Sequence, residues 1–165
     1  MNIKMLMNMQ RNLNERILRE HNLKNEELYK KRLLAFLVEL GELANETRSF
    51  KYWSMKPASE ENEILEEYVD GLHFVLSICL DLGIEALTLP TERTEKEDND
   101  IITDHFLGLY EHTSKLAEHR LIESGLLLFE KYIILGEALG FTYEQIEESY
   151  LKKNEVNHAR QDSGY

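Results

Sequence analysis

Apolar residues return every third or fourth position along most of the chain, the period of α-helices that each bury one stripe. Ile3, Leu6, Met9, Leu13 and Ile17 mark a first helix of about five turns, ending near His21-Asn22. Gln10 lies beside that stripe, either as a surface glutamine or as a polar group facing a pocket. A second helix is predicted from Glu26 to about Thr47. Leu33, Phe36, Leu37, Leu40, Leu43 and Ala44 form its stripe, and Glu39, Glu42 and Glu46 run along the border. Gly41 inside it costs about 1 kcal/mol relative to alanine and points to close approach of another element. The third helix should be capped by Ser59, with Glu60 and Glu61 at its positive end, and should run to about Asp81, where Gly83 stops it. Its stripe is Ile64, Leu65, Tyr68, Leu72, Val75, Leu76 and Cys79; Glu63, Glu67, Asp70 and Phe74 share the other side.

Ile101, Ile102, His105, Phe106, Leu109 and Leu116 mark a fourth helix. A fifth, Leu126 to Leu139, is apolar almost all round, which places it inside the domain or between subunits and favours a dimer. Gly140 ends it. Thr142 and Gln145 then form a capping box, with Phe141 and Ile146 as its staple. Strand patterns are nearly absent, so the fold class is all-α, a helical bundle.

Three segments break the periodicity. Arg48 to Pro57, RSFKYWSMKP, reads as a connecting loop. It is either an aromatic plug, with Tyr52 and Trp53 capping the core, or a ligand loop that brings Lys51 and Lys56 to phosphates and an aromatic to a base. Ile84 to Asn99, which takes in all but the last residue of the charged run TERTEKEDND, reads as a solvated loop. After Tyr150 the character changes again. Lys152, Lys153, Asn154, Asn157, Arg160, Gln161 and Tyr165 gather in an otherwise acidic chain, as a frayed terminus or as a flap with cations for phosphates and amides for a base edge.

Composition narrows the function classes. The 165 residues fit one domain that needs no staples, spanning 1–165 with a C-terminal substrate-binding tail from about residue 150. A net charge of −12 excludes a general nucleic-acid surface, because phosphate backbones need a basic footprint. The lone cysteine, Cys79, sits on an apolar stripe and makes no internal disulfide. The first ten residues lack the apolar run of a signal peptide, and no run reaches membrane-spanning length, so no membrane partner and a cytoplasmic location are expected.

The candidate chemistry is carried by Glu39 with Glu42 and Glu67 with Asp70. Residues three apart on a helix share a face, so each pair aims two acids the same way. Four acids brought together need a cation, and hard oxygen donors suit Mg²⁺ or Mn²⁺. The spacing alone is weak, since Glu60/Glu63, Glu92/Glu95 and Glu144/Glu147 repeat it. Phe74 adds weight, because an aromatic among acids needs a ligand or a partner helix to cover it. No glycine-rich phosphate loop is present.

ELGELANE (39–46), FKYWS (50–54), ILEEYVDGLHF (64–74) and KNEVNHARQDSGY (153–165) resemble the motifs of the dimeric dUTPases, a branch of the all-α nucleoside triphosphate pyrophosphohydrolases that includes MazG-type enzymes. The resemblance implies a helical homodimer that cleaves dUTP with Mg²⁺, with dUDP a candidate second substrate. It implies that Glu39, Glu42, Glu67 and Asp70 hold the metal and that Glu39, or else Glu42, is the general base. It gives the deoxyribose to His73 and Phe74, the uracil to Trp53, Asn157 and Gln10, and the phosphates to Lys51, Lys56, Lys153 and Arg160, with Asn154 and Tyr165 in the substrate-binding tail. Three rival readings compete with it. A non-enzymatic helical interaction protein leaves Phe74 and the basic tail without a role. A di-iron bundle would take Asp70-x-x-His73 as half of its ligand set, but a lone histidine on a helix is usually not a ligand. A sister enzyme acting on dCTP is nearest, because an amide can flip to suit uracil or cytosine.

Overall fold

The structure, a computed structural model, describes every residue except Asn25, Thr94 and Tyr165. Among the described residues there are six α-helices and no strand: α1 (Ile3–Glu20), α2 (Tyr29–Thr47), α3 (Glu61–Asp81), α4 (Asn99–Glu118), α5 (Ile122–Ala138) and α6 (Tyr143–Asp162). The all-α expectation holds, and the departures lie at the helix ends. α2 begins at Tyr29 rather than Glu26, with the Tyr29 N–H donating to Glu27 Oε1 at 3.2 Å. Glu60, not Ser59, takes the N-cap of α3, because the Ser59 hydroxyl donates to the Glu46 carboxylate across the α2–α3 connection. α4 starts two residues early, since Asp98 accepts from the Asp100 and Ile101 N–H groups, both at 3.0 Å. The capping box of Thr142 and Gln145 forms as expected.

The largest departure is the C-terminal segment. It is neither frayed nor a flap; residues 150–162 continue α6. Arg16 on α1 holds its end down, donating to the His158 carbonyl at 3.1 Å and pairing with Asp162 at 2.5 Å. The heptad-like stripe fades there, but Tyr150 and Asn154 still face inward and are buried.

α3 is the hub, packing on α1, α2, α5 and α6. Its stripe explains this: Tyr68, Leu72, Val75, Leu76 and Cys79 are fully buried. Against α5, the Tyr68 and Tyr132 rings stack with centroids 4.7 Å apart, and each phenol donates to the other's backbone carbonyl at 3.1 and 2.7 Å. Gly71 makes that approach feasible, because a Cβ there would lie 2.1 Å from the Tyr132 hydroxyl oxygen. Gly41 does what its helix position implied. The Tyr110 hydroxyl lies 3.0 Å from where its Cβ would stand and donates to the Leu37 carbonyl, locking α4 onto α2. α5 is buried on one side only; Ile122, Leu126 and Leu127 stay exposed in the single chain, as do Leu34 and Val38 on α2. No helix among the described residues is long and apolar enough to cross a membrane.

Candidate active site

α1, α2, α3 and α6 wall a cleft of about 530 Å³. Its two ends differ in kind. At one end the apolar stripes of α2 and α3 interlock, which turns their acidic borders toward each other. Glu39 from α2 meets Glu67 and Asp70 from α3, with one carboxylate oxygen of each within 4.8 Å of the others. All three are half-buried. Glu42 stands outside this group and is exposed. Three residues advance a helix by about 300°, so Glu42 is turned about 60° away from Glu39, toward solvent.

The electrostatics follow from three acids sharing one low-dielectric place. Burial pushes the Glu39 carboxyl up to about 7, and the charges of Asp70, Glu42 and Glu67 push the same way. Burial likewise raises Glu67 and Asp70. Lys153 of α6 opposes this for all three; its Nζ lies 2.5 Å from Asp70 Oδ2. One ammonium offsets one carboxylate and leaves two. An oxygen-only donor set with surplus negative charge and restricted solvent fits a hard divalent cation.

The other end is neutral. His73, Gln10 and Ser77 are buried there and Asn14 partly so, all lining the cleft. Gln10 Oε1 accepts from the Tyr150 hydroxyl at 2.7 Å and lies 2.7 Å from His73 Nδ1. Gln10 Nε2 donates to Asn14 Oδ1 at 3.0 Å and to Ser77 Oγ at 2.9 Å. Burial holds the His73 imidazole down at about 3, so the ring is neutral at any ordinary pH. The Tyr150 ring stacks on it with centroids 4.1 Å apart.

Phe74 lines the cleft between the two ends, one turn beyond Asp70 and one before Ser77. Asn157 and Arg160 also line it, from α6. Asn154 is buried and does not line it; its Oδ1 has no hydrogen-bond partner among the described residues. Tyr165 lies outside the described residues.

Lys51, Trp53 and Lys56 are not in this cleft. Nor does their loop plug the core, as Tyr52 and Trp53 are 94% and 64% exposed. Arg48 causes this. It ends α2 in the left-handed conformation at φ 58°, and its guanidinium ties the loop to itself through Ser54 Oγ at 2.6 Å and the Lys56 carbonyl at 3.1 Å, leaving the rings outside. Asn14, Ser77 and Arg32 line the cleft without having stood out in the sequence, whereas Gln161, which also lines it, belongs to the polar C-terminal cluster noted there. For Asn14 a signal existed, because it lies four residues from Gln10 and so on the same face of α1.

A family model described as dUTPase matches residues 2–165, essentially the whole chain. No curated protein matches it.

Proposed function

The chain belongs to the all-α dUTPase family, which makes it a dUTP diphosphatase and a hydrolase, and from that footing we propose that it cleaves dUTP to dUMP and pyrophosphate with Mg²⁺ held by Glu39, Glu67 and Asp70. The observation that carries the metal assignment is the meeting of those three half-buried carboxylates within 4.8 Å. A divalent ion held there would supply Lewis-acid activation of water and positive charge against the polyphosphate.

The chain's own groups divide the remaining work. Glu39 takes the proton of the attacking water as the α–β phosphoanhydride breaks and pyrophosphate leaves. Its surroundings hold it part-protonated near neutrality, so it becomes a competent base once positive charge enters the cluster. Lys153 can exchange Asp70 for a phosphate oxygen without losing its charge partner, and Arg160 faces the same cleft. Phe74 stands where the sugar passes and leaves a 2′-hydroxyl without a partner. Gln10 and Asn157 belong to the base end. Exposed apolar residues on α2 and α5, including Leu34, Val38, Leu126 and Leu127, support a homodimer as the working form.

Pyrophosphate release measured across dUTP, dUDP, dCTP, dTTP and UTP, with Mg²⁺, with Mn²⁺ and with chelator, tests this reading. Turnover should be highest for dUTP with Mg²⁺ and vanish with chelator. Full turnover in chelator would remove the metal, and a preference for dCTP would move the chain to a sister activity.

A further inference from the structure

The sequence leaves uracil and cytosine open because a pocket amide can present either its oxygen or its nitrogen. The hydrogen bonds behind the cleft wall close that freedom. Resting on the reading above, we propose that Tyr150, which touches neither the cleft nor the substrate, is a positioning residue that fixes base specificity by setting the polarity of a two-amide relay, Gln10 to Asn14.

The relay begins at Tyr150, whose phenol is fully buried and is kept protonated by that burial. It has two acceptors in reach, Gln10 Oε1 at 2.7 Å and the Leu6 carbonyl at 3.5 Å. The first is an ordinary O–H···O distance and the second is at the outer limit, so the proton goes to Gln10. The Gln10 atom facing Tyr150 is therefore its oxygen. His73 is compatible with this: a neutral ring can donate its one N–H from Nδ1 to the same Oε1 at 2.7 Å, which leaves its buried Nε2 without a hydrogen-bond partner among the described residues. The Tyr150 ring stacked 18° from parallel keeps His73 from turning.

Each later step is forced by the one before. With its oxygen turned inward, Gln10 spends both Nε2 hydrogens, one on Asn14 Oδ1 and one on Ser77 Oγ. Ser77 sends its proton to the His73 carbonyl at 2.9 Å or to Asn14 Oδ1 at 3.1 Å. In either case Asn14 shows its oxygen to the wall. Its Nδ2 then has no acceptor among the described residues and is left for the cleft that Asn14 lines. The base end thus offers a donor where a flipped amide would offer an acceptor. A 4-carbonyl pyrimidine meets it with a hydrogen bond. A 4-amino pyrimidine opposes donor to donor.

Steady-state kinetics on the full-length Mg²⁺-loaded protein with dUTP and dCTP tests the relay. Tyr150→Phe removes the anchoring proton donor with little change in volume, and should lower the dUTP:dCTP ratio of kcat/KM by about tenfold, chiefly through better use of dCTP. A purely structural role would lower thermal stability and both substrates together and leave the ratio where it was; that result overturns the proposal. Asn14→Asp is the second variant, informative even if Tyr150→Phe fails to fold. It places an acceptor where the relay puts a donor, so the ratio should shift toward dCTP by at least the same factor, and an unchanged or raised ratio overturns the proposal. Failure of the wild-type protein to hydrolyse dUTP would instead refute the activity reading, so the two failures are told apart.

Discussion

The two ends of the cleft are built on opposite principles although they share α3. At the acidic end Glu39, Glu67 and Asp70 are brought together with only Lys153 against them, and all three are pushed toward their neutral forms. At the amide end Gln10, Asn14, Ser77 and Tyr150 exchange neutral hydrogen bonds of ordinary length, leaving the Asn14 amide N–H toward the cleft and the buried His73 Nε2 without a partner among the described residues. One end carries surplus charge until a cation arrives; the other is largely paired before any ligand does. A cation-dependent reaction wants this division. The reacting end gains from charge that ligand binding relieves, whereas the recognising end gains from groups that need not reorganise.

The largest break in this contrast comes from Glu39→Gln. The amide keeps the shape but loses the proton acceptor and one charged oxygen, so kcat for dUTP should fall about 10³-fold or more while circular dichroism stays unchanged. Retained activity would take Glu39 out of the mechanism. Glu42→Gln is the matched comparison: exposed and outside the cluster, it should cost far less.

The same substitution probes the strain without any catalysis. In the metal-free fold Glu39 keeps its proton up to about pH 7, against 4.5 for an ordinary glutamate. Between those values the folded chain binds more protons than the unfolded one, so its stability falls as pH rises. His73 acts in the other direction. Held at about 3 instead of 6.5, it makes the fold less stable as pH falls through that interval. Melting curves in chelator should therefore show Glu39→Gln equal to the wild type near pH 4.5, more stable by a growing margin up to about pH 7, and constant beyond. Added Mg²⁺ should cancel the gain. A margin independent of pH would mean that Glu39 is not held near neutrality.

How far each end was legible in the sequence follows from the same contrast. The acid pairs announce themselves through helical spacing, and the partner helix was the next one along, so Glu39, Glu67 and Asp70 could be placed together before any coordinates. Glu42 could not be separated from them, because its rotation about α2 matters only once α3 has chosen a side. The amide end draws Gln10 and Asn14 from α1, Ser77 from α3 and Tyr150 from α6, with hydrogen bonds that join residues more than sixty positions apart. No local period carries such a pairing. The 48–57 loop was ambiguous for a related reason. Aromatic composition suggested either the core or a base, and the left-handed turn at Arg48, which no residue-type rule demands of arginine, turns Tyr52 and Trp53 away from the core. The tail misled by losing its apolar stripe while keeping helix-forming residues, and Arg16 on α1 holds it in place.

The smallest expected effect lies at the border between the ends. Phe74 sits one helical turn from Asp70 and nearly one from Ser77, so its half-buried ring occupies the stretch of cleft between phosphate chemistry and base recognition. On the proposed reading the sugar passes over it. A ring there excludes a 2′-hydroxyl in two ways, by filling the space and by giving the hydroxyl no partner after it leaves water. Phe74→Ala removes the bulk but supplies no partner, so only part of the exclusion should be lost. The UTP:dUTP ratio of kcat/KM should rise by about tenfold, with UTP still the poorer substrate. Phe74→Asn restores a partner in the opened space and should raise UTP further than alanine does. If alanine and asparagine both leave the ratio unmoved, the ring belongs to the packing of α3, and the sugar is selected elsewhere in the cleft.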